Sequence, residues 1–367
     1  MRTFRLTLIM ATLVVVRLVA AQDTAPTYPP PDEVKAHFLK QLDRPRVGLD
    51  PVVAKSEAAE TGLIEERLTI ASQRRADGQL ERVPILIVRP ADASKPRALV
   101  IVLHGTGGNK DRMRPHLVRL AERGIVGLAI DARYHGDRSG GAKGSEAYIA
   151  AITRAWETKP GEPMEHPFYL DTCWDLWRVL DYVATRKDVD PKRIGMIGFS
   201  MGGIQTWLAA SVDERVRVAV PAIAVQSFRW SLDHDRWQGR ARTIQAAHLA
   251  AARDLGEKEI NARVCRELWN KIIPGMLGEF DCPSMIRLFA GRPLLVLNGD
   301  RDPNCPIEGA RIAFAAAEKA YADAGASDRL LINVATDTGH KVIQAQDKLM
   351  YEWLERWLAP TESESSR

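Results

Sequence analysis

The stretch "IGMIGFSMGGIQTWLAA", Ile194 to Ala210, decides the reading of this chain. Apolar residues and glycines run up to Phe199-Ser200-Met201, and a helix-like pattern follows. The Gly-x-Ser-x-Gly core is a weak signal by itself. Here it stands where a buried-strand pattern becomes a helix pattern, which is the context a nucleophile elbow requires. Ser200 must turn sharply out of the strand. Gly198 and Gly202 remove the Cβ atoms that would collide across that turn. The hydroxyl then stands above the sheet edge, at the positive end of the next helix. The bland reading is a tight turn with a serine cap.

The flanking pattern agrees. "ALVIVLHG" (98–105), "IVGLAID" (125–131), "RIGMIGF" (193–199), "RVRVAVPAI" (215–223), "PLLVLNGD" (293–300) and "RLLINVA" (329–335) read as strands. Helix patterns at 116–124, 170–186, 203–211, 307–325 and 341–358 separate them. Such alternation predicts βαβ units and a mostly parallel, doubly wound sheet. Before it, "LIEERLTIAS" and "LERVPILIVRP" flank a turn holding Asp77-Gly78, which predicts an antiparallel hairpin. A short amphipathic helix is expected over 32–42. Residues 134–169 are Gly-rich and carry no assignment. Residues 226–290 show no strand pattern and are read as a helical cap insertion over the carboxyl ends of the strands, where open α/β sheets place their sites.

With 367 residues, 46% of them hydrophobic, the chain can bury a large core. Its 51 basic and 47 acidic residues are interspersed, so no nucleic-acid stripe is expected. No apolar run reaches the roughly 18 residues of a membrane span. Arg2 and Arg5, the apolar run 6–16 and small residues near Ala20-Ala21 predict a signal peptide over 1–21 and a secreted or periplasmic protein, with Arg17 interrupting the pattern. The expected organisation is an N-terminal extension at 22–63, a catalytic domain at 64–358 with the cap at 226–290, and a frayed tail at 359–367. Four cysteines, at 173, 265, 282 and 305, show no zinc or redox spacing.

A serine nucleophile needs a base oriented by a carboxylate, in the chain order Ser, acid, His. Of the histidines after Ser200, His234 and His248 fall in the insertion. His340 falls in a loop after the last strand. The acid must come from "NGDRDPNCP", where Asp300 and Asp302 both qualify on spacing. Backbone N–H groups of Met201 and of Thr106 or Gly107, in "HGTGGN", are placed to bind an oxyanion. That loop fits neither a P-loop nor a dinucleotide fingerprint. "DARYHGDR" offers His135 and Arg138 as candidate substrate contacts or loop anchors. In the insertion, Phe228, Trp230, Trp237 and Trp269 are candidate pocket walls or anchors, with Trp230 taken as a candidate substrate contact.

With those pieces placed, the chain resembles the α/β-hydrolase superfamily, in its dienelactone-hydrolase-like and acetyl-xylan-esterase-like branches. The matching stretches are "VIVLHGTGGNKD", "GLAIDARYHGDRSG", "RVLDYVATRKDVDPKRIGMIGFSMGGIQTWLAA", "LLVLNGDRDPNCP" and "GH". The resemblance implies an α/β-hydrolase fold and selects Asp302 by the family's Gly-x-x-Asp motif, matched by Gly299, Asp302 and Pro306. It also implies Thr106 as second oxyanion donor, a small-molecule or carbohydrate-linked ester as substrate, and no metal or organic cofactor. Dienelactone hydrolases usually carry Cys where Ser200 stands, which favours ordinary ester chemistry. Competing expectations are a small peptidase of the prolyl-oligopeptidase clan and an inactive binding member of the fold.

Overall fold

A computed structural model describes residues 27–59, 62–92 and 94–360. The signal-peptide expectation and most of the tail lie outside the described residues.

The parallel sheet forms as its sequence pattern requires. Strands β1 (Val52–Ala58), β2 (Leu63–Arg74), β3 (Leu80–Pro90), β4 (Arg97–Leu103), β5 (Val126–Ile130), β6 (Val189–Phe199), β7 (Val216–Ala222), β8 (Leu294–Gly299) and β9 (Leu330–Ala335) make one sheet. Its order is β1-β2-β3-β5-β4-β6-β7-β8-β9. The first three strands and the β3–β5 pair are antiparallel, and the pairs from β5 to β9 are parallel.

β4 shows why a continuous apolar run was needed. Leu99, Ile101 and Leu103 face one core, while Ala98, Val100 and Val102 face another. A strand covered on both faces must be apolar at every position. Helices α1 (Pro31–Leu42), α4 (Leu170–Val183), α5 (Met201–Val212) and α11 (Ile307–Asp323) contribute to the first core. Helices α2 (Arg114–Ala121) and α12 (Gln344–Leu358) contribute to the second.

Two elements go beyond the sequence expectation. β1 adds an outer antiparallel strand, so the sheet begins before residue 64. All seven of its residues are exposed, so it never needed the half-buried alternation that marks a strand. Helix α3 (Glu146–Glu157) occupies the unassigned stretch, burying Tyr148, Ala151, Ile152 and Ala155.

The insertion contains α6 (Phe228–Asp233), α7 (Gln238–Arg242), α8 (Gln245–Asp254), α9 (Ala262–Ile272) and α10 (Cys282–Ile286). α8 and α9 pack on α3, so insertion and loop helix form one layer. α7 lies against the loop after β8. A Cβ on Gly239 would fall 2.0 Å from the Pro303 carbonyl oxygen. The insertion therefore reaches the carboxyl end of β8. All four cysteines are buried and free.

Candidate active site

Ser200 joins β6 to α5 with φ +53° and ψ −112°, a left-handed conformation that non-glycine residues seldom adopt. Its N–H donates to Ala222 O at 2.9 Å, and its carbonyl accepts from Ile204 N at 3.0 Å. The turn is too tight for side chains on either side. A Cβ on Gly198 would stand 2.0 Å from Gly202 O, and one on Gly202 would stand 2.5 Å from Leu103 O.

The loops after β8 and β9 bring the other two groups to this point. The Ser200 hydroxyl lies 2.8 Å from His340 Nε2, and His340 Nδ1 lies 2.7 Å from Asp302 Oδ2. The consistent proton arrangement has Nδ1–H donating to the carboxylate and Nε2 accepting from the hydroxyl. Asp302 is sealed, while the imidazole keeps 24% of its side-chain surface open. The other Asp302 oxygen accepts from Asn304 N at 2.8 Å and Cys305 N at 3.2 Å. Asp300 is excluded from this array. It accepts from Thr338 N at 3.1 Å and so ties the β8 loop to the histidine loop.

The glycine loop stands against the serine. A Cβ on Gly105 would come 3.5 Å from Ser200 Cβ. Gly108 N donates to Gly105 O at 2.9 Å, and Gly107 takes φ +75° inside that turn, as a type II turn requires. The Thr106 N–H is not used in closing the turn. Met201 opens α5, where helix geometry leaves its N–H without an intrahelical partner. The loop is anchored by Lys110, whose N and Nζ each donate to Asp131 at 2.8 Å. His104 donates from Nδ1 to Gly105 O at 2.8 Å and accepts from Ala132 N at 3.2 Å. Burial pushes its pKa down to about 4, so it is a neutral strut.

The other candidates lie elsewhere. Arg138 donates to Asp175 at 2.8 Å and to Glu81 at 2.6 Å. Its guanidinium is held in an internal ion-pair network, so it anchors the loop. His135 is fully buried, with Nδ1 on Arg133 O at 2.8 Å and its ring 4.6 Å from Tyr148. Trp230 stacks on His234 at 4.3 Å and lines a cavity whose lining includes neither Ser200 nor His340. Phe228 and Trp269 are buried edge to face at 5.7 Å and anchor the insertion to the core. Trp237 is half-buried, its Nε1 donating to Asp235 at 2.8 Å.

One set of residues escaped the sequence reading. Arg240 of α7 is 3% exposed and donates to Asn304 O at 3.0 Å, beside Cys305 Sγ at 3.9 Å. Its charge also acts on the buried Tyr169 hydroxyl. Tyr169 sits in a strained turn, φ +78° and ψ −50°, closed by Leu170 N on Phe168 O at 3.1 Å. The insertion thus holds the loop bearing Asp302. Asp302, Cys305 and His340 also cluster closely enough to suggest a cation site. Their atoms are already engaged: Cys305 Sγ donates to Ile223 O at 3.3 Å, and burial pushes its thiol pKa up. The donor set fits a proton relay better than a metal.

A family model described as the alpha/beta hydrolase family matches residues 100–364, most of the chain. The chain belongs to the alpha/beta hydrolase family. The hydrolase is 27% identical over 291 residues to YtaP of Bacillus subtilis, named as a candidate hydrolase, covering 76% of this chain and 84% of that one. Among solved structures it is similar to an acetyl xylan esterase from Paenibacillus sp. R4, with TM-score 0.61 and 20% identity, over 89% of this chain and 93% of that one. It is also similar to acetyl xylan esterase 1 of Thermoanaerobacterium sp. JW/SL YS485, with TM-score 0.63 and 17% identity, over 92% and 96%. At these identities the structural likeness speaks for the fold.

Proposed function

We propose that this hydrolase cleaves carboxylic esters through Ser200, with His340 as base and Asp302 as its orienting acid. The observation that carries this reading is the unbroken hydrogen-bonded line Asp302–His340–Ser200, at 2.7 and 2.8 Å. His340 takes the hydroxyl proton as the oxygen attacks the ester carbonyl. The negative charge on the carbonyl oxygen is met by the backbone N–H groups of Met201 and Thr106. His340 then protonates the leaving alcohol, leaving an acyl group on Ser200. Water, activated by the same imidazole, cleaves that acyl-enzyme. Asp302 keeps Nε2 free to accept a proton.

Structural neighbours named as acetyl xylan and glucuronoyl esterases support small or carbohydrate-linked esters as the substrate class. A fluorophosphonate should label the chain at Ser200, with p-nitrophenyl acetate turned over and simple peptide substrates left intact. Ser200→Ala should abolish both labelling and turnover while the chain stays folded. Peptide turnover exceeding ester turnover would favour the peptidase reading, and absence of labelling would favour an inactive binding protein.

A further inference from the structure

A cavity of about 1180 Å³ lies between α6, the end of α10 and one face of α11, with Tyr28 and Pro31 at its edge. Its lining contains none of Ser200, Asp302, His340, Thr106 or Met201. The volume is somewhat above the roughly 300–1,000 Å³ of typical small-ligand sites.

One wall is apolar by construction. Ile312, Ala315, Ala316 and Ala320 repeat along one face of α11, opposite Leu288 and Pro283. Alanines there leave the space open.

Among the described residues the charges do not cancel. The lining carries Arg229, Arg287, Arg311 and Lys319 against Asp233 and Asp323. Lys319 pairs with Asp323 at 2.8 Å. Asp233 pairs with Arg229 at 3.5 Å and with Arg266 at 2.6 Å. That leaves Arg287 and Arg311 without a carboxylate partner among the described residues. Arg287 is half-buried, and among the described residues its bonds go to neutral oxygens, Pro29 O at 2.9 Å and the Ser284 carbonyl and hydroxyl at 3.2 Å. Burial lowers its pKa below the ordinary arginine value. Beside it, 5.5 Å below the guanidinium, is the Tyr28 ring, whose hydroxyl is closed off from solvent and has no hydrogen-bond partner among the described residues.

We infer that this cavity binds an amphipathic carboxylate, its head on Arg287 and Arg311 and its aliphatic tail along the α11 face. A neutral lipid would give neither guanidinium a carboxylate, and the described residues give them none. A small inorganic anion would leave the apolar wall wet. A single ligand with both parts satisfies both features. The site is independent of the ester chemistry at Ser200.

The test uses the full chain with Ser200→Ala, titrated calorimetrically with hexanoate, octanoate, decanoate and decanol. Decanoate should bind at one site, with affinity rising about fourfold per added methylene, the equivalent of about 0.8 kcal/mol each. Decanol should bind at least tenfold more weakly. Arg287→Gln with Arg311→Gln should weaken decanoate at least tenfold. The same pair in a chain with Ser200 intact should leave p-nitrophenyl acetate turnover unchanged. Ala316→Trp, checked for folding by circular dichroism, should block the tail and abolish binding. Equal affinity for decanol, unchanged decanoate affinity in the charge variant, or no saturable binding would each overturn the inference. So would loss of decanoate binding when Ser200 of the otherwise wild-type chain carries a fluorophosphonate, because the ligand would then be occupying the catalytic site.

Discussion

Replacing Gly239 by alanine probes the coupling between insertion and active site. The new Cβ would lie 2.0 Å from Pro303 O, 2.5 Å from Pro303 C and 2.9 Å from Asn304 Oδ1. Two of those atoms are backbone, so no side-chain rotation relieves the overlap. Either α7 or the 300–305 loop must retreat by about 1.4 Å or more to bring the closest contact to ordinary van der Waals separation. Overpacking of this kind costs about 1–3 kcal/mol. The retreat falls on the residues flanking Asp302 and stretches the Arg240–Asn304 contact, now 3.0 Å. A 1 Å misplacement within a catalytic array can lower turnover about 100-fold. Gly239→Ala should therefore lower kcat on p-nitrophenyl acetate by about 10–100-fold, with a fall of several degrees in Tm. Gly48→Ala, with nothing within 4 Å of the added atom, is the matched control. Wild-type kcat and Tm for Gly239→Ala would refute the claim that α7 braces the acid loop.

Asp302→Asn should lower kcat by about four orders of magnitude, because an amide no longer fixes the histidine tautomer. Asp300→Asn should leave kcat close to wild type, since an amide oxygen can still accept from Thr338 N; a larger loss from Asp300→Asn reverses the assignment. Arg240→Met should lower kcat about tenfold with little change in KM, and Arg240→Lys should restore part of it, both read by steady-state kinetics. His104, His135 and His248 are held neutral by burial, each pushed from 6.5 down to about 4. The unfolded chain then binds more protons between those values, so stability is full above pH 6.5 and falls as pH drops toward 4. Asp281, raised by burial to about 6, acts in the opposite sense with one group against three. A Tm unchanged from pH 7 to 4 would contradict this. Export predicts an N-terminus near Ala21 or Gln22 by mass spectrometry of protein from the native host, and an intact Met1 would refute it.

The parallel half of the sheet was legible because burial on both faces forces apolar residues at every strand position, as in β4. Ser200 and His340 were legible because backbone constraints leave marks in sequence: glycines flank the elbow, and strand ends locate the loops. The choice between Asp300 and Asp302 was not open to spacing. Both follow the same strand end, and only the loop's fold turns one toward His340 and the other toward Thr338 N. α3 was readable in hindsight from Tyr148, Ala151, Ile152 and Ala155, which share one helix face. Flanking glycines at 136, 140, 141, 144 and 161 hid that period. β1 left no mark, since an exposed edge strand has no inner face to pattern.

The brace around Asp302 was unreadable for a different reason. Arg240, Tyr169 and Asn304 are far apart in sequence, and each is unremarkable where it stands. What joins them is the Arg240 guanidinium, which bonds Asn304 O and acts on the Tyr169 hydroxyl. Ser200, Tyr169 and Ile223 all take positive φ, at +53°, +78° and +49°. For a β-branched residue such as Ile223 this is an outlier that surrounding contacts must hold. Ile223 lies one residue past β7, donating to Leu297 O at 2.6 Å and accepting from Cys305 Sγ at 3.3 Å. The charge that acts on Tyr169 is that of Arg240, which bonds the same loop at Asn304 O. Of these strained positions Ile223 touches the segment 302–305 directly, and Ser200 meets it through His340. Asp302 and Cys305 of that loop are buried, while His340 keeps a partly open ring. A carboxylate buried behind and an imidazole reachable from in front is the division that the proposed mechanism calls for.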